Sequence, residues 1–160
     1  MTATRPPDPP DHADMRVPPP LLYLAAFLVG LALERLLPMP VIPHSVGRPL
    51  GAVLVTAWAG LMFWSGDSFR RARTSVLPIR PTTALVTVGP FSFTRNPMYL
   101  SLALLYAGLA LWLGTVWPLV LLLPLLLLVQ RVVIEREERY LERKFGEEYR
   151  RYRARVRRWL

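Results

Sequence analysis

Apolar runs separated by short polar breaks dominate the chain, and their length predicts helices that cross a bilayer rather than the one-sided stripes of soluble helices. The first run, residues 21–37, has 17 residues, enough to cross a hydrocarbon core if it stands upright at about 1.5 Å per residue. Glu34 and Arg35, near its far end, do not share a helix face and are expected to reach for the interface rather than form a buried relay. Pro38, Pro40 and Pro43 then enforce a loop. The second run, residues 50–64, spans only if its Gly, Pro and Ser flanks lie within the interface. Residues 97–113 and 115–134 complete the set, and the break at Gly114 and Thr115 predicts an antiparallel helical hairpin.

At residue 135 the pattern switches to charged residues on a helical repeat. Arg131, Ile134, Glu135, Glu138, Leu141, Glu142 and Phe145 share one face, so carboxylates stand among apolar groups on the side expected to pack. The fold class expected is therefore an all-α integral membrane protein, with about four transmembrane helices and a cytoplasmic C-terminal amphipathic helix over residues 135–160. Residues 21–160 read as one domain. Residues 1–20, MTATRPPDPPDHADMRVPPP, are too rich in proline and aspartate to bury a core and read as a disordered tail.

Composition agrees with a membrane protein: 160 residues, 52% hydrophobic, and a mean hydropathy of +0.29. Cysteine is absent, which removes thiolate ligands and nucleophiles, and His12 and His44 are too few and too far apart for a metal centre. No metal site is expected. The net charge of +9 would suggest nucleic acid in a soluble protein. Here eleven of the twenty basic residues lie in residues 131–160, directly after an apolar run and mixed with acids, so anionic lipid headgroups are the expected partner and nucleic acid is not.

Charge also orients the chain. With four spans, residues 1–20, 67–96 and 135–160 fall on one side, carrying two, five and ten basic residues. The opposite loops carry Arg48 alone. The positive-inside rule then puts both termini in the cytoplasm of a multi-pass protein of the cell inner membrane or plasma membrane.

Two constellations carry chemistry. In GPFSFTRNPMYL, residues 89–100, Gly89 and Pro90 signal a turn, while Asn96 and Pro97 read as the N-cap and first position of the third span. Arg95 then stands just outside a membrane helix, where the positive end of the helix dipole adds to its charge and favours a carboxylate or phosphate. The plainer reading is a contact to lipid headgroups. The second constellation, EREERYLERKFGEEYRRY at residues 135–152, reads on charge spacing alone as a salt-bridged interfacial helix.

Together, LVTVGPFSFTRNPMY (residues 85–99), an apolar hairpin and EERYLERKFGEEYRRY (residues 137–152) resemble the membrane-embedded methyltransferases typified by isoprenylcysteine carboxyl methyltransferase and phospholipid methyltransferase. The family pattern runs LVTxGPY, RHPxY or RNPxY, then EExxLxxxFGxxYxxY. Arg95, Asn96, Pro97, Tyr99, Glu137, Glu138, Leu141, Phe145, Gly146, Tyr149 and Tyr152 match it. The resemblance covers roughly the last half of the chain.

The resemblance implies S-adenosylmethionine as methyl donor and a lipophilic small molecule or lipid as acceptor, a carboxylate or an amine. It implies a donor site of Gly89, Pro90, Arg95, Asn96, Pro97, Tyr99, Glu137, Glu138 and Tyr149, in which Arg95 and Glu138 carry the catalytic roles. The chemistry fits: Arg95 suits the donor's carboxylate, Glu138 its ammonium or ribose, and Tyr99, Phe91 and Phe93 its adenine or sulfonium. Glu137, rotated about 100° from Glu138, is expected nearer the surface. Many relatives carry histidine where this chain has Asn96, which cannot exchange protons near neutral pH. No GxGxxG turn appears, which argues against a Rossmann-type methyltransferase. Two alternatives stay open: an NADPH-dependent membrane reductase of the sterol-reductase type, whose RHPxY pattern is similar, and a non-enzymatic membrane scaffold.

Overall fold

A computed structural model describes residues 18–74 and 83–160. The tail expected to be disordered lies outside the described residues as far as position 17, and Arg80 in the polar loop lies outside them too. Pro19 and Pro20 belong instead to the first helix. Proline suits a first turn, whose N–H groups have no intrahelical partner.

The described residues are helical, with no strand among them. Helix α1 covers Pro19–Leu36, α2 His44–Arg71, α3 Pro97–Leu113, α4 Trp117–Val129, α5 Glu135–Phe145 and α6 Glu147–Arg155. A 3-10 turn, Gly89–Ser92, precedes α3, and a π-helical turn, Gln130–Ile134, joins α4 to α5. Three stretches are long and apolar enough to cross a membrane: Pro19–Leu36, His44–Arg71 and Trp117–Phe145; the apolar Pro97–Leu113 is shorter. The second helix is much longer than the 50–64 run, because its last turns leave the apolar zone without losing their helical bonds, ending in Arg70 and Arg71. Basic residues there complement the helix dipole.

Helix α2 packs mainly along α3, and α1 mainly along α4. Glycines set the first contact. A Cβ on Gly51 would lie 2.6 Å from the Gly108 carbonyl oxygen and 2.9 Å from the Trp112 backbone nitrogen. Such close approach of backbones is how helices associate in lipid, where burial from water supplies no drive between them. Gly51→Val is therefore expected to cost about 1–3 kcal/mol by overpacking, read as a lower unfolding midpoint and a smaller monodisperse fraction in detergent. Gly60, on the same helix, meets nothing within 4 Å, and Gly60→Ala leaves both readouts unchanged or slightly improved. Equal losses at the two positions would disprove the glycine contact.

Gly114 ends α3 in the left-handed region, φ 74°, where glycine pays no Cβ penalty. Beyond it the chain is tied at the far end of the bundle. Glu34 does not simply reach for the interface: its carboxylate accepts from the backbone N–H groups of Val116, at 2.9 Å, and Trp117, at 3.0 Å. It caps α4 from 82 positions earlier in the chain, satisfying donors that a helix start leaves open. Trp117 Nε1 returns a bond to the Leu37 carbonyl at 2.6 Å.

One core cluster gathers Tyr23 of α1, Ala103 and Tyr106 of α3, and Leu125, Val129, Val133 and Ile134 of the α4 region. A second one, Val86, Phe91, Tyr149 and Tyr152, lies under the loop before α3 and against α6. Phe91 of the first sequence constellation and Tyr149 and Tyr152 of the second belong to this cluster.

Candidate active site

The hairpin returns the start of α3 and the start of α5 to the same end of the bundle, and the two constellations meet there. Arg95 Nη1 lies 3.0 Å from Glu138 Oε1, with each side chain only 9% exposed. Part of the helical face expected to pack turns inward: Ile134 and Glu138 are buried and Leu141 and Phe145 pack on the second cluster, whereas Arg131 is exposed and Glu135 and Glu142 are half-buried. The carboxylate and apolar groups share that face because the carboxylate has a buried cation to meet, which offsets its desolvation.

Glu138 has a second cation that the motifs do not contain. Arg158 donates from Nε to Glu138 Oε1 at 3.0 Å and from Nη2 to Oε2 at 2.7 Å, a two-point grip suited to the planar guanidinium. Arg158 Nη1 also lies 3.7 Å from Glu135 Oε1. The hydrogen bonds to Glu138 raise the Arg158 pKa above its usual range. Beside the pair, the Tyr149 hydroxyl lies 3.4 Å from Arg95 Nη1. Burial, followed by the Glu138 charge, pushes that phenol up, so it acts as a neutral polar group.

Asn96 occupies the cap position of α3, but its side chain makes no capping bond. The expected N-cap role is replaced by another: Nδ2 donates to the Arg158 carbonyl at 2.9 Å, because the C-terminal segment brings an acceptor to the amide. Thr94 Oγ1 donates to the same carbonyl at 3.2 Å, and the Arg95 N–H donates to the Arg157 carbonyl at 2.9 Å. Pro97, the first residue of α3, is buried.

Glu137 is not the surface residue expected from its rotation. It accepts from the Tyr99 hydroxyl at 2.8 Å, and the Tyr99 carbonyl in turn accepts from the Tyr23 hydroxyl at 3.1 Å. Glu137 and Tyr99 thus form a second polar pair, one helix residue away from the Arg95–Glu138 pair, linking α5 through α3 to α1. Gly89 and Pro90 stand farther back. Gly89, at φ 64°, starts the 3-10 turn against Trp64 and Ser68 of α2, and Pro90 is buried. They shape the loop rather than reach the ion pair. Phe91 is used in the core, stacked edge-on against Phe69 at 5.1 Å, with its carbonyl accepting from Tyr152. Phe93 pairs with Trp64 at 5.9 Å.

The site was therefore incomplete in the sequence by Arg158, Thr94 and the Arg157 carbonyl. Thr94 stands inside the GPFSFTRNPMYL stretch, and the one signal of the two arginines is the basic VRRW at residues 156–159, which follows the last helix and has no periodicity to aim it.

Arg95 keeps one donor in reserve: its Nε is buried and has no hydrogen-bond partner among the described residues. A buried guanidinium donor without a protein acceptor is a costly group, and an anionic ligand is one partner that would satisfy it. An amino acid's carboxylate fits Arg95, and its ammonium fits the carboxylates of Glu138 or Glu137, so the residues present suit S-adenosylmethionine.

The apolar helices thus carry a buried arginine–carboxylate cluster at one end of the bundle, and the family model described as Phospholipid methyltransferase, a class of membrane methyltransferases, matches residues 46–148. The chain belongs to that family. It is also similar to an uncharacterized protein of Haemophilus influenzae, 49% identical over 63 residues, which are 39% of this chain and the whole of that relative. No solved structure matches the chain.

Proposed function

We propose that the protein transfers a methyl group from S-adenosylmethionine to a lipophilic carboxylate or amine at the cytoplasmic face of the cell membrane, with four spans and both termini on that face. The observation that carries the reading is the buried Arg95–Glu138 pair at 3.0 Å. It joins two motifs 43 positions apart in the sequence and leaves Arg95 Nε open to an anion.

When bound, the donor supplies an electrophilic methyl on a sulfonium, and displacement at that carbon is in line. The protein's task is alignment and exclusion of water, with no covalent intermediate. Arg95 orients the donor's carboxylate. Glu138 and Glu137 face its positive end, and Tyr149 holds the Arg95 guanidinium from the side. The acceptor arrives along the apolar surface of the helices, and Glu137, partnered by a hydroxyl rather than a cation, is better disposed than Glu138 to accept a proton from an amine acceptor.

Calorimetry of the detergent-solubilised protein with S-adenosylmethionine, S-adenosylhomocysteine and NADPH tests the reading. Saturable binding of the first two, and none of the third, is expected. NADPH binding alone would return the chain to the reductase alternative, and binding of none of them to a scaffold.

A further inference from the structure

The C-terminal segment lies across the very groups just assigned to the donor. After α6 the chain turns extended at Val156, φ −117° and ψ 130°, and runs back over the start of α3. Its backbone offers acceptors on one side: the Arg157 carbonyl takes the Arg95 N–H, and the Arg158 carbonyl takes Asn96 Nδ2 and Thr94 Oγ1. Its side chain offers a cation on the other, with the Arg158 guanidinium on both oxygens of Glu138.

The Arg158 guanidinium on Glu138 matches the charge of an amino acid's ammonium, while the carbonyls bond the Arg95 backbone N–H, Asn96 and Thr94 and leave Arg95 Nε without an acceptor. We propose that residues 157–159 form a strap that occupies the donor site in the empty protein, with Arg158 standing where the donor's ammonium goes, so that donor binding requires the strap to release Glu138. The inference rests on the methyltransferase reading and adds the control of its donor site.

Charge and burial both favour release over permanent attachment. Glu138 has three of its acceptor positions taken by two guanidinium groups, and an incoming ammonium would meet two cations around one carboxylate. The donor carries an ammonium and a sulfonium against one carboxylate, so Arg158 opposes it twice. Arg158 is also the outer member of the cluster, its side chain 30% exposed against 9% for Glu138, and exposed ion pairs are the more easily exchanged. Trp159 supplies the anchor about which the strap moves: its Nε1 donates to Gln130 Oε1 at 2.9 Å, at the first residue of the π-helical turn, a geometry common at functional sites. The ring packs on the first core cluster.

A closed strap lowers apparent affinity by the fraction of molecules that are open. If about a tenth are open, unlatching raises apparent affinity about tenfold. The test uses the full-length protein in detergent, with S-adenosylhomocysteine as the probe, and compares Arg158→Gln and Arg158→Lys with the wild type. Calorimetry gives affinity, and hydrogen exchange of the peptide covering residues 156–160 gives the strap's state. Arg158→Gln is expected to bind about tenfold tighter, and Arg158→Lys, which keeps the charge but loses the two-point grip, to fall between it and the wild type. Saturating ligand is expected to speed exchange of that peptide in the wild type. Weaker binding by Arg158→Gln, or slower strap exchange with ligand in the wild type, would overturn the strap while leaving the donor site intact. Loss of monodispersity in Arg158→Gln shifts the decision to the wild-type exchange experiment. Absence of binding in wild type and variants alike would instead overturn the methyltransferase reading, and the strap with it.

Discussion

Arg95→Ala is expected to weaken S-adenosylhomocysteine binding by about tenfold to a hundredfold, the equivalent of one charge-assisted hydrogen bond at about 1.5–3 kcal/mol, while the protein stays monodisperse. The two halves of this expectation have separate causes. Binding falls because Arg95 is the buried cation with an open donor, its Nε unpaired and its Nη1 held by Glu138. Folding survives because Glu138 keeps its other partner: Arg158 still grips both carboxylate oxygens, so no uncompensated charge is buried. Arg95→Lys should recover little. An ammonium is a point charge, and it cannot hold Glu138 with one nitrogen while offering another to a ligand. Calorimetry in detergent, with size exclusion as the control on folding, measures both halves. Unchanged affinity in Arg95→Ala would make Arg95 a lipid-headgroup contact, the plainer reading of its place beside a membrane helix.

The sequence carried the parts of this arrangement that depend on periodicity and on chain reversal. Glycine and threonine between two apolar runs determine a hairpin, a hairpin returns its ends to one interface, and helical spacing aims Glu138 along the face of Ile134, Leu141 and Phe145. Those steps are local, and each survives into the structure. What the sequence did not carry are contacts made by segments without a period. Arg158 is one of three arginines in VRR and its neighbours, and nothing in its spacing sends it, rather than Arg157, to Glu138. Asn96 looked like a cap because capping is a local rule, yet a carbonyl 62 positions away claims its amide. Glu34 is the converse case, since its cap is on another helix. Helix α2 shows a third limit. Hydropathy marks where a helix is apolar, not where its hydrogen bonds end, so residues 50–64 became His44–Arg71.

Adjacent carboxylates with different partners give the sharpest test of the site. Glu138→Gln keeps the shape but removes the charge that holds Arg95 at 3.0 Å and Arg158 at 2.7 Å. Two guanidinium groups then face a neutral amide that can accept with only one atom, and one of the amide's own donors points at a cation. Breaking a buried pair from one side costs about 3–5 kcal/mol, so a lower unfolding midpoint is expected along with a loss of donor affinity of at least about tenfold. Glu137→Gln should be mild on both counts. The Tyr99 hydroxyl donates to Glu137 Oε1 at 2.8 Å, and a glutamine carbonyl accepts that bond equally well, with no guanidinium left stranded. The contrast also separates two roles in turnover. If Glu137 accepts the proton of an amine acceptor, Glu137→Gln leaves S-adenosylmethionine affinity nearly unchanged but lowers the rate of methyl transfer to amines, whereas a carboxylate acceptor, which has no proton to lose, is methylated at the wild-type rate. Glu138→Gln lowers transfer to both acceptors through the donor. Equal, small effects of the two substitutions on unfolding midpoint and donor affinity would show that Glu138 is one more residue of a salt-bridged surface helix, and the cluster around Arg95 would lose its claim to the donor.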